Sequence, residues 1–359
     1  VDESGDTDTF TVVLDAQPTS DVVITITSSD TGEATVTSTL TFTPANWDTP
    51  QVATITGVDD DIIDGSQTST ITVSIDDANS DDDFDAVADQ TVSVSTTDDD
   101  VAGFTVAETD GSTGVDESGT TDIITVVLNA QPVSDVVMAI SSSDASETAV
   151  NGSTANNNSL TFTSENWDTP QSFTVTGVDD DLVDGTVNSI LTISVVDALS
   201  DNGFDAVADQ TVTASTTDDD VAGFTIVELD GSTEVDESGD TDTFTVVLDA
   251  QPDSDVVLSI TSSDTGEATV TSSLTFTSAN WDTPQVVTVT GVDDDLIDGT
   301  ITSTVTVSVV DASSDNNFDA VADQTVSVST TDDDVAGFTV SETEGSTTVT
   351  EAGSTDVLN

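Results

Sequence analysis

The sign of its charge is the feature that most constrains how this chain can fold. It carries 72 Asp and Glu residues and no Lys, Arg or His, so no side chain can neutralise a carboxylate. Two like charges about 4 Å apart repel by about 4 kcal/mol at an effective dielectric constant of 20. The triplets that begin at Asp59 and Asp98 therefore resist close packing unless a cation binds them. Clustered oxygen ligands favour a hard cation, and calcium is the best match.

The composition also limits folding in the absence of such a cation. Hydrophobic residues make up only 35% of the sequence and the net charge is −72, a combination that favours disorder. Cysteine is absent, so no disulfide can compensate. We therefore expect stable folding to require bound metal. The charge excludes nucleic acid and anionic lipid as partners, and no apolar run is long enough for membrane insertion.

The sequence is a tandem array of domain-sized repeats. The motif VDESG occurs three times and a weaker copy, VTEAG, follows near the end. Its glutamates, spaced by 114, 120 and 114 residues, are Glu3, Glu117, Glu237 and Glu351. This period is typical of beads on a string rather than of a short solenoid repeat. The predicted boundaries are 1–100 for a first repeat that lacks its first strand, 101–220 for the second, 221–334 for the third, and 335–359 for the first strand of a further repeat.

Alternation of apolar and polar residues predicts β-strands throughout each repeat. Val22, Ile24 and Ile26, for example, share one parity, so one face of their strand is buried and the other is wet. This pattern predicts an all-β fold of seven-stranded antiparallel sandwiches. The second to seventh strands are predicted over residues 9–15, 21–28, 38–43, 51–58, 69–76 and 90–97, and the first strand, which precedes them, has its next copy at 102–108. The position that Ala53, Phe173 and Val287 occupy is predicted to be core.

The acidic residues fall at one end of each predicted sandwich. Antiparallel strands alternate in direction, so every second strand ends at the same pole. In the first repeat, strands end at Asp30 and at the two Asp triplets, and others start just after Glu3 and Asp64. A single pole therefore collects the carboxylates of a calcium-type site. Each second triplet runs directly into the next repeat without a linker, so bound ions would stiffen the junctions between repeats.

These segments resemble the Calx-β domains of sodium/calcium exchangers and of large bacterial surface proteins. The matching sequences are VDESG, GVDDDIIDG from Gly57 and TTDDDVAGFTV from Thr96, and the resemblance covers nearly the whole chain. It implies immunoglobulin-like sandwiches, arranged end to end, that bind several Ca²⁺ ions at one pole. The implied ligands of the first repeat are Glu3, Asp30, Asp59, Asp60, Asp64, Asp98, Asp99 and Asp100, with the carbonyl of Ile62. Those of the second are Glu117, Asp144, Asp179, Asp180, Asp184, Asp218, Asp219 and Asp220. Those of the third are Glu237, Asp264, Asp293, Asp294, Asp298, Asp332, Asp333 and Asp334.

Other acidic residues carry weaker signals. Asp64 and its equivalents stand where the exchanger pattern has Glu, so a shorter side chain is expected to loosen or lose one ion. The last residue of each first triplet, Asp61, Asp181 or Asp295, is expected to point outward. We interpret Glu33, Glu147 and Glu267 as surface strand residues, and residues 81–83 as a solvated loop at the opposite pole. Two glycosylation sequons, at Asn151 and Asn157, fit chance in an Asn-rich loop better than a glycan site.

The residue inventory argues against an enzyme. The chain has no His, Cys, Lys or Tyr to act as a base or nucleophile. We expect an extracellular or cell-surface structural protein, a calcium-rigidified rod within a stalk, sheath or filament, since millimolar calcium occurs outside cells. An adhesin or lectin that uses its loops remains the alternative. The expected partners are calcium ions and neighbouring repeats or identical subunits. The last segment could supply the first repeat's missing strand in another copy, or the array could simply have been cut from a longer one.

Overall fold

The chain is described by a computed structural model that covers residues 1–152, 158–341 and 351–352. The described residues form two compact units. One contains Val1–Asp179 and Thr186–Thr217, and the other contains Asp180–Gly185 and Asp218–Asn359. Strands dominate both, and the helical segments among the described residues are 3₁₀ turns of three residues each. None of these helices has the length and apolar character that crossing a membrane requires.

The first repeat, in the first unit, is a sandwich of a three-stranded and a four-stranded sheet. Its strands are β1 (Thr7–Val12), β2 (Val22–Ser28), β3 (Ala34–Val36), β4 (Thr39–Phe42), β5 (Gln51–Gly57), β6 (Gln67–Ile75) and β7 (Gln90–Thr96). The sheet orders are β1-β5-β3 and β4-β2-β6-β7, and every pairing is antiparallel. The strand predicted over 38–43 is β4, and a further short strand that was not predicted, β3, precedes it in the other sheet.

The second repeat's sandwich, also in the first unit, is more complete. Its strands are β8 (Phe104–Glu108), β9 (Thr113–Asp116), β10 (Thr121–Leu128), β11 (Val136–Ser142), β12 (Thr148–Gly152), β13 (Ser159–Phe162), β14 (Gln171–Gly177), β15 (Val187–Val195) and β16 (Gln210–Thr217). The sheet orders are β12-β14-β10-β8 and β13-β11-β15-β16-β9. These nine segments correspond to seven strand positions, because the first and fourth positions each cross from one sheet to the other.

The second unit repeats this plan. Its strands are β17 (Phe224–Glu228), β18 (Thr233–Asp236), β19 (Thr241–Leu248), β20 (Val256–Ser262), β21 (Ala268–Val270), β22 (Ser273–Phe276), β23 (Gln285–Gly291), β24 (Ile301–Val309) and β25 (Gln324–Thr331). The sheet orders are β17-β19-β23-β21 and β18-β25-β24-β20-β22. Residues 332–341 contain no strand, and the remainder of the strand predicted over 335–359 lies outside the described residues except for a turn at 351–352.

The 3₁₀ turns lie in connections between strands. They are Asp77–Asn79, Asp82–Phe84, Thr109–Gly111, Asp197–Leu199, Asn202–Phe204, Asp311–Ser313 and Asn316–Phe318.

The prediction of tandem all-β sandwiches is confirmed, with one difference in strand direction. β9 pairs with β16, and β18 with β25, in parallel. The cause is the sheet crossing: the chain leaves β8 at the 3₁₀ turn Thr109–Gly111 and continues forward in the opposite sheet instead of reversing. An antiparallel count of directions cannot anticipate a strand that changes sheets.

Each sandwich has its own apolar core. The predicted core position is fully buried in all three, since Ala53, Phe173 and Val287 are each 0% exposed. The core of the first sandwich is the least buried of the three. Phe84 is only partly buried there, whereas its equivalents Phe204 and Phe318 are 0% exposed. Phe204 shares its core with Phe104 of β8, and Phe318 shares its core with Phe224 of β17, whereas the first repeat has no described equivalent of these strands.

Candidate metal centres

The start of the chain positions the first cluster. Asp2 forms an isolated bridge with Thr97, and the Glu3 amide donates to the Thr97 carbonyl at 3.1 Å. This crossing passes so close to Gly57 that a Cβ there would lie 2.0 Å from the Asp2 carbonyl oxygen, so only glycine fits. The backbone contacts hold the Glu3 side chain inside the sandwich, at 1% exposure, beside the loop that begins at Asp98.

Glu3 joins two groups of carboxylates. In the first group, Glu3, Asp98 and Asp100 each offer an oxygen, and the three oxygens lie within 4.8 Å of one another. In the second, Glu3, Glu33 and Asp64 do the same within the same limit. We call these five residues the first acidic cluster. One buried glutamate thus links two groups of carboxylates at the pole that the sequence pattern predicted.

Hydrogen bonds orient only part of this cluster. Asp98 Oδ2 accepts from the amides of Asp64 at 3.1 Å and Gly65 at 2.8 Å, and its Oδ1 accepts from the Asp100 amide at 2.8 Å. Other buried oxygens of the cluster have no hydrogen-bond partner: Glu3 Oε2, Glu33 Oε2, Asp64 Oδ1 and Asp100 Oδ2. A buried carboxylate oxygen without a donor is costly, and a cation bound between these oxygens would lower that cost.

The electrostatics agree with the geometry. Burial, followed by the neighbouring charges of Asp60 and Asp98, raises the pKa of Glu3 to about 7. Burial is also the main cause that raises the pKa values of Glu33 and Asp100 above their ordinary range. No protein group supplies a compensating positive charge, because the chain has no basic side chain. The protein alone thus disfavours the ionised cluster.

The third repeat, within the second unit, has the same arrangement. Oxygens of Glu237, Asp332 and Asp334 lie within 4.8 Å of one another, and Glu237 is 1% exposed. Asp332 Oδ2 accepts from the Gly299 amide at 2.8 Å, and backbone hydrogen bonds lower the pKa of Asp332. Burial instead raises the pKa of Glu237 to about 7. The buried oxygens Glu237 Oε2, Glu267 Oε2 and Asp334 Oδ2 have no hydrogen-bond partner.

Some acidic residues of the second repeat lie in the first unit and others in the second. In the first unit, Glu117 is 1% exposed and lies between β9 and β10. In the second unit, the amides of Asp184 and Gly185 donate to Asp218 Oδ2 at 3.0 and 2.8 Å, as their equivalents do in the first repeat. Burial, followed by the charge of Asp218, raises the pKa of Asp220.

Other residues of the predicted ligand set cap their own turns or have exposed side chains. Asp30, Asp144 and Asp264 cap their own turns, accepting from the amides of Gly32 at 3.0 Å, Ser146 at 3.1 Å and Gly266 at 3.0 Å. The side chains of Asp59, Asp99, Asp179, Asp219, Asp293, Asp298 and Asp333 are exposed, and those of Asp61, Asp181 and Asp295 are exposed as expected for outward-pointing residues. Asp60, Asp180 and Asp294 each accept a hydrogen bond from the amide two residues on, at 2.7, 2.7 and 2.6 Å. Their role as ligands remains a prediction, as does that of the Ile62 carbonyl.

The loop that carries Asp59, Asp60, Ile62 and Asp64 of the predicted set also contacts the next sandwich. Within the first unit, the Gln131 amide donates to the Asp61 carbonyl at 2.6 Å, and the Ile63 amide donates to the Gln131 carbonyl at 3.1 Å. Ile63 packs against the core of the second sandwich. Within the second unit, Gln251 makes the same two bonds with Asp181 and Val183, at 2.6 and 3.3 Å. Asp60 and Asp64 flank this docking contact, so a metal at the pole would act on the junction.

Sequence reasoning misjudged two groups of acids. Glu33, Glu147 and Glu267 are not surface residues: Glu147 and Glu267 are 5% and 7% exposed, and Glu33 lies in the first acidic cluster. The available signal was their recurrence at one position, three residues before Val36, Val150 and Val270. Asp81 is likewise not solvated but 6% exposed, because it accepts hydrogen bonds from backbone amides.

The ligand set of these clusters suits calcium. Every candidate atom is an oxygen, most of them from carboxylates. Hard cations such as Ca²⁺ take about six to eight oxygen ligands. The unpartnered buried oxygens of the first acidic cluster are the ones that such an ion would satisfy. Bound calcium would supply the positive charge that the chain lacks, and the chain's own residues would fix its position.

No family model matches the chain, and no curated protein matches it. Solved structures do: the surface layer protein SbsC, domains 4-9, matches at 15% identity and a TM-score of 0.27, over 92% of this chain and 41% of that one. The I-band fragment I67-I69 from titin matches at 10% identity and a TM-score of 0.30, over 91% of this chain and 93% of that one. The calcium binding domain CBD12 of CALX1.1 matches at 16% identity and a TM-score of 0.22, over 57% of this chain and 80% of that one. Calx-β is therefore one of several kinds of domain that this chain resembles.

Proposed function

We propose that this chain is an extracellular, calcium-binding structural repeat protein, in which calcium makes successive sandwiches into a rigid rod within a surface stalk, sheath or filament. The observation that carries the proposal is the first acidic cluster: buried carboxylate oxygens that converge within 4.8 Å, several without a hydrogen-bond partner, in a chain with no basic side chain.

The proposed division of labour follows the contacts. Glu3 would bridge two ions, because it belongs to both carboxylate groups. Asp98, held by the amides of Asp64 and Gly65, would present a fixed oxygen to one of them. The loop that contains Asp60 and Asp64 would then be held by metal on one side and by Gln131 on the other. Calcium would thereby stabilise each sandwich and its junction with the next.

The expected calcium affinity and the residue inventory support an extracellular, non-catalytic role. Weak extracellular calcium modules work at about 10⁻⁴ to 10⁻³ M, which suits clusters that bind only where calcium is abundant. The residue inventory offers no His, Cys, Lys or Tyr for general acid–base or nucleophilic chemistry. Similar loops in successive repeats, such as the recurring NWDTPQ, also favour a spacer over an adhesin, whose binding loops would differ more from one repeat to another.

Isothermal titration calorimetry with Ca²⁺, and with Mg²⁺ for comparison, tests the proposal. We expect several calcium ions per chain and much weaker magnesium binding, since Mg²⁺ requires near-octahedral geometry. The double variant Glu3→Gln, Glu237→Gln should lose calcium affinity. A matched control is Asp48→Asn, Asp282→Asn, which removes two charges from exposed residues outside the clusters. Equal loss in both variants, or no calcium binding at all, would refute the proposal.

Small-angle X-ray scattering tests the mechanical part separately. Calcium should narrow the distribution of chain dimensions relative to chelator, because metal would fix the loop that docks on Gln131. If calcium binds without any change in scattering, the chain is a calcium-binding protein but calcium does not make it rigid.

A further inference from the structure

Each sandwich buries a set of three small side chains between its two sheets. One member stands on β3, β12 or β21, and a serine and a threonine stand on two paired strands of the opposite sheet. We call each set the inner trio; its members are Ala34, Ser69 and Thr96 in the first sandwich, Thr148, Ser189 and Thr216 in the second, and Ala268, Ser303 and Thr330 in the third. Every member is at most 2% exposed, so solvent does not reach these hydroxyl groups.

The inner trio of the second sandwich satisfies its own hydroxyl groups. Thr148 Oγ1 donates to Ser189 Oγ at 3.3 Å and shares a hydrogen bond with Thr216 Oγ1 at 3.0 Å. Thr216 Oγ1 also donates to the Glu147 carbonyl at 3.3 Å. A single oxygen atom, Thr148 Oγ1, thus gives both other members of the trio a hydrogen-bond partner.

The trios of the first and third sandwiches have alanine in place of that threonine. Within the described part of the chain, Ser69 Oγ, Ser303 Oγ and Thr330 Oγ1 have no hydrogen-bond partner. Thr96 Oγ1 donates to the Glu33 carbonyl at 3.4 Å, which leaves its own oxygen able to accept. Because a buried hydroxyl without a partner is costly, the change from threonine to alanine leaves an unmet demand for one donor and acceptor.

The strand registers place the three trios in the same backbone frame. The serine of each trio pairs with the equivalent residue of the next strand. The remaining member pairs with a glycine of the strand beside it, at Gly57, Gly177 or Gly291. The point that Thr148 Oγ1 occupies therefore has a serine and a threonine hydroxyl beside it in all three sandwiches.

The size and chemistry of this point match one water molecule. Threonine exceeds alanine by a hydroxyl and a methyl group, so each alanine leaves space for about one water. A buried water needs about two to four polar partners, and each of these trios offers two hydroxyl groups. Water fits better than a cation, because the trios contain no charged side chain and Ala34 and Ala268 belong to apolar cores.

We propose that the first and third sandwiches each bind one internal water molecule at the point that Thr148 Oγ1 occupies in the second. In the first sandwich this water bonds to Ser69 Oγ and Thr96 Oγ1, and in the third it bonds to Ser303 Oγ and Thr330 Oγ1. The second sandwich carries the same oxygen covalently, on Thr148. The inference is independent of calcium binding, because no member of a trio is charged.

Substitution of the two alanines tests the proposal by differential scanning calorimetry of the full chain. Ala34→Thr with Ala268→Thr should raise the melting temperature by a few degrees, because a tethered hydroxyl replaces an immobilised water. The matched control, Ala34→Val with Ala268→Val, has the same shape without the hydroxyl. It should melt below wild type, since it displaces the water and leaves Ser69 and Ser303 without a partner. A valine variant that melts as high as the threonine variant would show an apolar site and overturn the proposal.

The second sandwich offers the reverse substitution. Thr148→Ala should admit a water, whereas Thr148→Val fills the space and excludes it. The alanine variant should therefore melt above the valine variant, which is the opposite of what loss of packing alone would give. A valine variant that melts above the alanine variant would mean that packing decides stability here, and it would contradict the proposal.

Magnetic relaxation dispersion of water ¹⁷O counts long-lived internal waters directly. Relative to wild type, Ala34→Thr with Ala268→Thr should lose about two such waters, and Thr148→Ala should gain about one. Equal counts in all three proteins would overturn the proposal whatever the melting temperatures are. The calorimetric order of the variants should be the same in calcium and in chelator, and an order seen in calcium alone would contradict a site that contains no carboxylate. Failure of any of these tests leaves the calcium proposal intact, because the trios supply no ligand to the acidic clusters.

Discussion

The two poles of the first sandwich bury acidic side chains in opposite ways. Glu3 at one pole is 1% exposed and Asp81 at the other is 6% exposed. Asp81 Oδ2 accepts from the amides of Thr19 at 2.6 Å and Ser20 at 2.9 Å, and hydrogen bonds of this kind lower its pKa to about 2. Glu3 has no such set of donors, and burial raises its pKa to about 7.

The third sandwich repeats the contrast. Asp315, 4% exposed, accepts from the amides of Ser254 at 2.8 Å and Asn317 at 3.0 Å. Glu237, 1% exposed, has an oxygen with no hydrogen-bond partner and a pKa of about 7. An acidic composition therefore does not define a metal site by itself. The distinction is whether backbone amides already satisfy the buried carboxylate.

The largest loss of stability should come from substitutions at the pole that contains Asp81. Replacing Asp81, Asp201 and Asp315 with Ala leaves several buried amides without an acceptor, so we expect the melting temperature to fall by on the order of 10 °C. The loss should be similar in calcium and in chelator, measured by differential scanning calorimetry. The control replaces the exposed neighbours Asp82, Asn202 and Asn316 with Ala, and it should melt close to wild type. A loss confined to calcium would place metal at this pole as well.

The change in melting temperature caused by neutralising Glu3 and Glu237 should be positive without calcium and negative with it. The variant Glu3→Gln, Glu237→Gln relieves the cost of two buried charges, so in chelator it should melt a few degrees above wild type. In saturating calcium it should melt below wild type, because ligands are lost. Thermal melts of both proteins in both conditions check this reversal. The same sign in both conditions would mean that Glu3 and Glu237 have no part in metal binding.

The contrast between the poles also marks what the sequence could predict. Strand alternation and the count of strand directions locate the acidic pole, because both depend on local pattern and chain reversal alone. Asp81 and Glu33 were misjudged because their burial depends on contacts across the sandwich, with Thr19 and with Glu3 respectively. The parallel pairing of β9 was missed for a related reason, since it follows from a change of sheet rather than from any periodicity.

The pH dependence of the melting temperature should report on the two buried glutamates, Glu3 and Glu237. Glu3 and Glu237 have folded-state pKa values of about 7, above the ordinary value of about 4.5 for an unfolded glutamate. The folded chain therefore binds more protons than the unfolded chain between those values, and its stability falls as pH rises through that window. In chelator, the melting temperature should rise when pH is lowered from 8 to about 5. In calcium the trend should reverse, because protons compete with the ion.

Failure of that reversal would be informative in a specific way. If acidification destabilised the chain in chelator, the carboxylates with lowered pKa values, such as Asp81, would dominate the pH response. The variant Glu3→Gln, Glu237→Gln provides the control, since its stability in chelator should depend less on pH than that of wild type.

The smallest effect should separate two acids that lie close together in sequence. Glu33 shares a carboxylate group with Glu3 and Asp64, whereas Asp30 caps its own turn through the Gly32 amide. Glu33→Gln with Glu267→Gln should weaken calcium binding several-fold in calorimetric titration, and Asp30→Asn with Asp264→Asn should change it little. The two double variants remove the same charge, so long-range electrostatics cancels between them. A larger loss from the Asp variant would mean that metal binding draws the turn at Asp30 away from Gly32 and into the first acidic cluster.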